Sequence, residues 1–385
     1  MSKIYISGLE GIPQSLGTVR TAFGTTLTIN QELDARCGNG ALQLPTVTEA
    51  QKAASNPARG TLIWNSSLGR AEVYDGAAWQ AVTITSNISE GMAATGGNYV
   101  YDFDGWRIHM FTSNGTFNVT RAGYAELLMV GGGGGGGGRS GGGGGGGGVV
   151  YYGAELPRLG TAYHFPVTGN HTIGVGIIGQ GGSGTGVNGL NGGDTTITGP
   201  AGFTNVTARG GGGGGSDGGN AGSDGGSGGG GRYDANGGNA TQPTSTWGGF
   251  GQPGGYGTSN TWNAGGGGGA LTPGERGWGT YNGANSDTGE NGGCGDGGVG
   301  LQYKISGANK YYAGGGGGGS HNPAMTGGFG GPGGGGNGGT PGGKNGGIGG
   351  VDNTGGGGGG GSTDSGNGGG GGAGATGVVI IRYRI

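Results

Sequence analysis

The sequence predicts an all-β protein: an N-terminal β-hairpin or meander module, then a β-sandwich whose long glycine-rich excursions pack as polyglycine II helices. Three observations carry this expectation. Short runs of alternating apolar and polar residues recur, separated by Asp-Gly and Asn-Gly pairs that mark tight hairpin turns. Only one stretch carries both helix start and helix stop signals. And 123 of the 385 residues are glycine, in segments whose other residues tend to fall three apart.

Composition decides how that glycine is to be read. Hydrophobic residues make up 30 % of the chain and charged residues 10 %, against about half and about a quarter in ordinary globular domains. Glycine-rich chains are often floppy tethers, but disorder usually combines low hydrophobicity with high net charge. Here the net charge is only −3, so packed glycine is expected. The same charge offers no basic surface for nucleic acid. No apolar run reaches the length of a membrane span, and the N-terminus MSKIYISGLEG lacks a secretory pattern. Cys37 and Cys294 belong to no CxxC motif, so two free thiols are expected and no metal or redox centre.

In chain order, residues 1–40 are polar, with short strand candidates at 3–6 and 25–29. Thr48 reads as the N-cap of a helix from Glu49 to Ala54, stopped by Asn56-Pro57. Residues 60–82, GTLIWNSSLGRAEVYDGAAWQAV, read as a three-stranded meander with a tight primed turn at Asp75-Gly76. Trp64, Tyr74 and Trp79 are expected to supply most of its apolar area. From Asn98 the grammar repeats: Trp106, Ile108 and Met110 share one strand face, Arg107 and His109 the other. Further strands are expected at 125–130, 171–178, 194–198 and 377–385. In the last, VVII should be buried on both faces, with Arg382 and Arg384 pointing away from Tyr383 and Ile385.

The glycine segments have their own rhythm. In GGFGGPGGGGNGGTPGGKNGGIGG, residues 327–350, Phe329 and Pro332, Asn337 and Thr340, Pro341 and Lys344, and Asn345 and Ile348 are each three apart. Collagen needs an unbroken Gly-X-Y repeat rich in proline, and twelve prolines with a slipping phase exclude it. Polyproline II geometry has three faces, and a face of glycine lets a neighbouring backbone approach. Residues 131–138 and 141–148, pure glycine, are therefore expected to be central rods of roughly 25 Å at about 3.1 Å per residue. Arg139-Ser140 would be the exposed reversal between them. Ordering such backbone costs roughly 1–2 kcal/mol per residue and glycine more than most. The return must come from amide bonds between rods and from a β core holding their ends.

Several quoted stretches also resemble known proteins. FTSNGTFNVTRAGYAELLMVGGGGGGG, HTIGVGIIGQGGSG, GGDTTITG, TARGGGGGG and GGGGGAGATGVVIIRY follow, in order over about residues 98–385, the pattern of a glycine-rich domain of tailed-bacteriophage tail-fibre and structural proteins. GTLIWNSSLGRAEVYDGAAWQAV is similar to a short module of phage virion proteins. T-even-type phage adhesins likewise stack polyglycine II helices and bind receptors through the intervening loops. The resemblance implies a virion component, a tail fibre or adhesin-like protein contributing to host attachment. It implies three regions: a virion-attachment segment (1–40), a short helix plus β-meander module (41–95) and the glycine-rich sandwich (96–385). The implied partners are other virion proteins through the N-terminal region, a host-surface glycan or outer-membrane protein, and further copies of the chain. A homotrimer is expected, since residues 1–95 hold too little apolar area for an independent core. A capsid decoration or head-fibre protein and a glycine-rich ice-binding protein remain alternatives.

Catalytic and cofactor motifs are weak. Residues 184–189 spell GxGxxG, but more glycine follows where a dinucleotide site needs a helix. Residues 292–296, GGCGD, fall one residue short of a calcium repeat and have no tandem copies. His109, His164, His171 and His321 show no ligand spacing, and no enzyme activity or cofactor is expected. The most individual stretch is 232–283, with Tyr233, Trp247, Tyr256, Trp262, Trp278 and Tyr281 in a loop-like background. Such aromatics offer rigid contact area at small entropic cost. They are the candidate receptor-binding residues, the alternative being that they cover the outer glycine helices.

Overall fold

A computed structural model describes residues 44–82, 91–217, 221–246, 248–258, 262–278, 293–321, 325–341, 347–363 and 368–385. The strand candidates at 3–6 and 25–29, the 1–40 segment, Cys37, Trp247 and Tyr281 lie outside these residues. The chain forms two compact units, Met1–Asn87 and Ile88–Ile385.

In the smaller unit, β1 (Thr46–Val47) runs parallel to β2 (Leu62–Asn65), which pairs with β3 (Arg70–Tyr74) and then β4 (Trp79–Ala81). Helix α1 (Glu49–Ala53) starts at Thr48, whose side chain and that of Gln51 close a capping box. Two expectations are corrected. Tyr74 pairs with Trp79, so the β3–β4 connection is a four-residue loop held by the Asp75 carboxylate on the Ala77 and Ala78 amides, not a two-residue turn. Trp64 stays 42 % exposed, whereas Ile63, Asn65 and Glu72 are buried. The centre of this sheet is thus a paired charge. Glu72 accepts from Lys52 at 2.6 Å, Arg70 at 2.7 Å and Asn65 at 2.8 Å, and the bonds from Lys52 and Asn65 pull its pKa down to about 2.

The larger unit begins with a two-sheet sandwich. Its strands are β5 (Ala93–Thr95), β6 (Tyr99–Phe103), β7 (Trp106–Phe111), β8 (Gly115–Arg121), β9 (Gly123–Val130), β10 (Val149–Tyr152), β11 (Tyr163–Phe165), β12 (Gly169–Gly174), β13 (Thr195–Thr198), β14 (Val206–Ala208), β15 (Leu301–Tyr303), β16 (Lys310–Tyr312) and β17 (Val378–Arg384). One sheet has the order β10-β9-β17-β7-β6 and the other β14-β13-β12-β8-β5. Phe111, Phe117, Leu127, Phe165, Ile197, Val379 and Ile381 fill the space between them. The β15–β16 hairpin covers the outer face of the first sheet, burying Ile108, Leu128, Tyr151, Val378 and Ile380 with Tyr303 and Tyr312. VVII is therefore buried on both faces, as its composition requires. Arg382 on β17 is mostly buried, 2.6 Å from Glu126 and over the Trp106 ring. The expected strand 171–178 stops at Gly174, because GVGIIG leaves the sheet as a glycine rod.

The rods form a lattice. Along 131–138, Gly131, Gly134 and Gly137 donate to Gly148, Gly145 and Gly142. Gly132, Gly135 and Gly138 donate to Gly193, Leu190 and Val187, and Gly133 and Gly136 to Ala375 and Gly372. Its carbonyls accept from three other rods, through Gly211 and Gly214, Gly179 and Gly182, and Gly358 and Gly361. Direction thus changes with every residue and returns every third, giving six neighbours in hexagonal order. The 141–148 rod is surrounded in the same way, by rods at 131–138, 209–215, 227–230, 265–268, 316–319 and 355–361. Every residue of both rods is buried, and any side chain would collide: a Cβ on Gly134 would stand 2.1 Å from the Gly212 carbonyl oxygen. The central rods are as expected, but only half of their reversal reaches solvent: Arg139 is one-third exposed. Ser140 is fully buried and bonded to Thr363.

Outer rods have amides facing no further rod, and here the side chains placed three apart act. Asn188, Asn191 and Asp194 accept from the amides of Ser216, Gly213 and Gly210 at 2.8, 2.9 and 2.9 Å. Asn337 and Thr340 do the same for Gly330 and Gly327 at 2.8 and 3.2 Å, and Asp296 for Phe329 at 2.6 Å. At each of these amides a short polar side chain stands in for the missing neighbour.

Candidate functional site at the distal end of the glycine bundle

Rod 131–138 leaves β9 at the sandwich, so its Gly138 end marks the far end of the bundle. At that end the hexagonal packing opens, and side chains replace glycine. Arg139 is one-third exposed and lies 3.3 Å from Asp217, which also pairs with Arg232. Arg232 is 2 % exposed, and its Nε and Nη2 have no hydrogen-bond partner among the described residues. Burial and then the charge of Arg139 lower its pKa to about 10. His321 accepts or donates at Nδ1 with the Thr363 hydroxyl at 2.9 Å, tying it to Ser140. Burial first, then Arg232 and Arg139, push the His321 pKa down.

Two aromatic groups stand on this base. The Trp262 indole stacks on His321, centroids 4.6 Å apart, and meets the edge of Tyr233 at 5.5 Å. In the second, the Arg276 guanidinium lies 5.2 Å from the Tyr256 ring and 4.8 Å from the Trp278 ring. The Tyr256 hydroxyl reaches Asp234 at 3.3 Å. Asn263, next to Trp262, donates to the Trp278 carbonyl at 2.5 Å, and the Trp278 amide donates to Gly293. Tyr233 and Trp262 remain 44 % and 41 % exposed.

With this geometry in view, comparison with known families is direct: a glycine-rich domain family matches residues 112–384, most of the chain. The chain belongs to the glycine-rich domain family. Comparison with curated proteins returns no match. In this family member the match runs from just before β8 through β17, leaving out β5, β6 and β7 but taking in the rest of the sandwich and the described glycine lattice.

Of the six aromatic candidates, Tyr233, Tyr256, Trp262 and Trp278 come together at the distal end; Trp247 and Tyr281 lie outside the described residues. Sequence reading assigned none of Arg139, Asp217, His321 and Thr363 to this site. The signal was present: each is among the first bulky residues after a glycine run, where a rod must end. The GxGxxG at 184–189 is another rod end, turning at 184–186. No group of three His, Cys, Asp or Glu among the described residues could hold a metal ion, and none of their helices is long and apolar enough to cross a membrane. Cys294 is buried, which raises its thiol pKa to about 12.

Proposed function

We propose that this chain is a structural component of a tailed-bacteriophage particle, a tail fibre or adhesin-like protein that presents the distal end of its glycine bundle to the host surface. One observation carries the reading: the described rods reverse at an end remote from the sandwich, and four of the aromatic candidates gather there. A backbone lattice is a stiff platform, and loops held by a rigid scaffold are where binding residues concentrate. The sequence resemblance to phage glycine-rich domains and to the virion module at 60–82 points the same way. Residues 1–95 would join the particle, and copies of the chain would associate as a trimer.

The test is adsorption together with immunogold labelling. Antibody against the glycine-rich domain should label tail fibres or their tips, and the purified full chain should slow adsorption of the phage. Substituting Tyr233 and Trp262 should remove that competition. Particles carrying no label would contradict the reading, and label on the head would move the protein to a capsid decoration or head fibre. A monomeric mass in light scattering would remove the trimer.

A further inference from the structure

Left-handed backbone is disfavoured for any residue with a Cβ and worst for bulky ones. A chain with 123 glycines has the obvious remedy. Yet Arg139 (φ 41°), Ser140 (φ 50°), Tyr233 (φ 53°), Asp234 (φ 55°) and Trp262 (φ 61°) all adopt it at the distal end. Such outliers persist where the side chain is needed and the surroundings enforce it. For Ser140 the need is structural, its bond to Thr363. Tyr233 and Trp262 pack on each other and on His321, yet each residue still leaves more than two-fifths of its surface to solvent, which packing alone does not require.

Their chemistry narrows what they meet. The Trp262 ring is braced by His321 and flanked by Tyr233, so a flat apolar surface is presented with little freedom to lose on binding. Beneath it, two guanidiniums share the Asp217 carboxylate. Arg232, 5.8 Å from the indole centroid, is buried with two nitrogens unpaired among the described residues. A buried cation that lacks full pairing favours a further anion nearby. Arg139, one-third exposed and only 3.3 Å from the shared carboxylate, can reach that anion with a bidentate fork.

We propose that Tyr233, Trp262 and Arg139, backed by Arg232, form a subsite for a pyranose ring bearing an anionic substituent, a carboxylate or a phosphate. The C–H face of the sugar lies on the indole, and the anion sits against Arg139 in the field of Arg232. The proposal rests on the attachment reading for the source of the sugar, a host-surface glycan.

The experiment is a titration of the full chain, followed by tryptophan fluorescence and ligand-observed NMR, with methyl glucuronide, glucose 6-phosphate and methyl glucoside. The two anionic sugars should bind at least about tenfold more tightly than the neutral one, a difference that shrinks as salt rises. Their relative affinities tell carboxylate from phosphate. Arg139→Gln should abolish the preference and leave weak neutral binding. Trp262→Gly should abolish binding of all three while the chain still unfolds cooperatively, since relief of the left-handed backbone offsets part of the lost ring packing. Equal affinity for charged and neutral sugars, or binding unchanged by Trp262→Gly, would overturn the proposal. If the chain competes for adsorption but shows no anionic preference, this subsite fails and the attachment reading stands. If anionic sugars bind but particles carry no label, the reverse holds.

Discussion

Phe117 in the sandwich and Gly134 in the bundle are both buried, but they are held by opposite means. Phe117 contributes a ring that fills space among Phe111, Phe165 and His109. Gly134 contributes only an amide to Gly145 and a carbonyl to Gly358, and its value lies in having nothing more. The sandwich is stabilised by removing apolar area from water, roughly 25 cal/mol per Å². The lattice has almost no such area, and each net amide bond is worth only about 1 kcal/mol. It therefore needs nearly every bond satisfied, and it needs its ends fixed by strands. β9 feeds 131–138, 141–148 feeds β10, and the last rod feeds β17. A side-chain core tolerates some change of shape, whereas a backbone lattice tolerates almost no change of bulk.

Substitutions can break that comparison in graded steps. The largest effect is expected for Phe117→Ala, about 3–5 kcal/mol for a truncated buried aromatic, read as a fall in the midpoint of thermal or denaturant unfolding. Gly134→Ala comes next. One methyl 2.1 Å from the Gly212 oxygen forces rods apart, and the expected cost is about 1–3 kcal/mol or more, by overpacking rather than by a lost contact. If Gly134→Ala were silent, the lattice would not be close-packed. Asn191→Ala sharpens the account of the lattice edge. It strips the acceptor from the Gly213 amide, and because Asn191 is exposed water replaces part of it, so about 0.5–1 kcal/mol is expected. The smallest effect is expected for Gly184→Ala, within about 0.5 kcal/mol, because a Cβ there meets nothing within 4 Å. Equal midpoints for Gly134→Ala and Gly184→Ala would erase the distinction between lattice centre and rod end.

How far the sequence reveals this follows from the same contrast. The alternation of β7 and β8, the capping box at Thr48 and Gln51, and the doubly buried VVII of β17 are written locally, so they can be read from neighbouring residues. Pure glycine at 131–138 and 141–148 says that no side chain fits on any face, which places those rods at the centre. The lattice partners are not legible, because Gly134 bonding to Gly145 rather than to another glycine depends on global packing. Nor did the spacing of Asn188, Asn191 and Asp194 suggest its purpose until the amides of the adjoining rod were in view. The distal site was half legible. The aromatics stood out by composition, whereas Arg139, Asp217 and His321 reach one another only through rod ends far apart in sequence. In the smaller unit, Trp64 was expected to supply much of the apolar area, but it stays largely exposed and a paired Glu72 occupies the centre.

The central claim is that the glycine rods are a hydrogen-bonded lattice as cooperative as the sandwich that anchors it. Native-state hydrogen exchange of the intact chain measures this residue by residue. The amides of 131–138 and 141–148 should be protected as deeply as those of β9 and β17, and the amides of the outer rod at 347–350 should open sooner. Exchange of the two central rods at the rate of an unstructured glycine chain, with β9 and β17 still protected, would contradict the account.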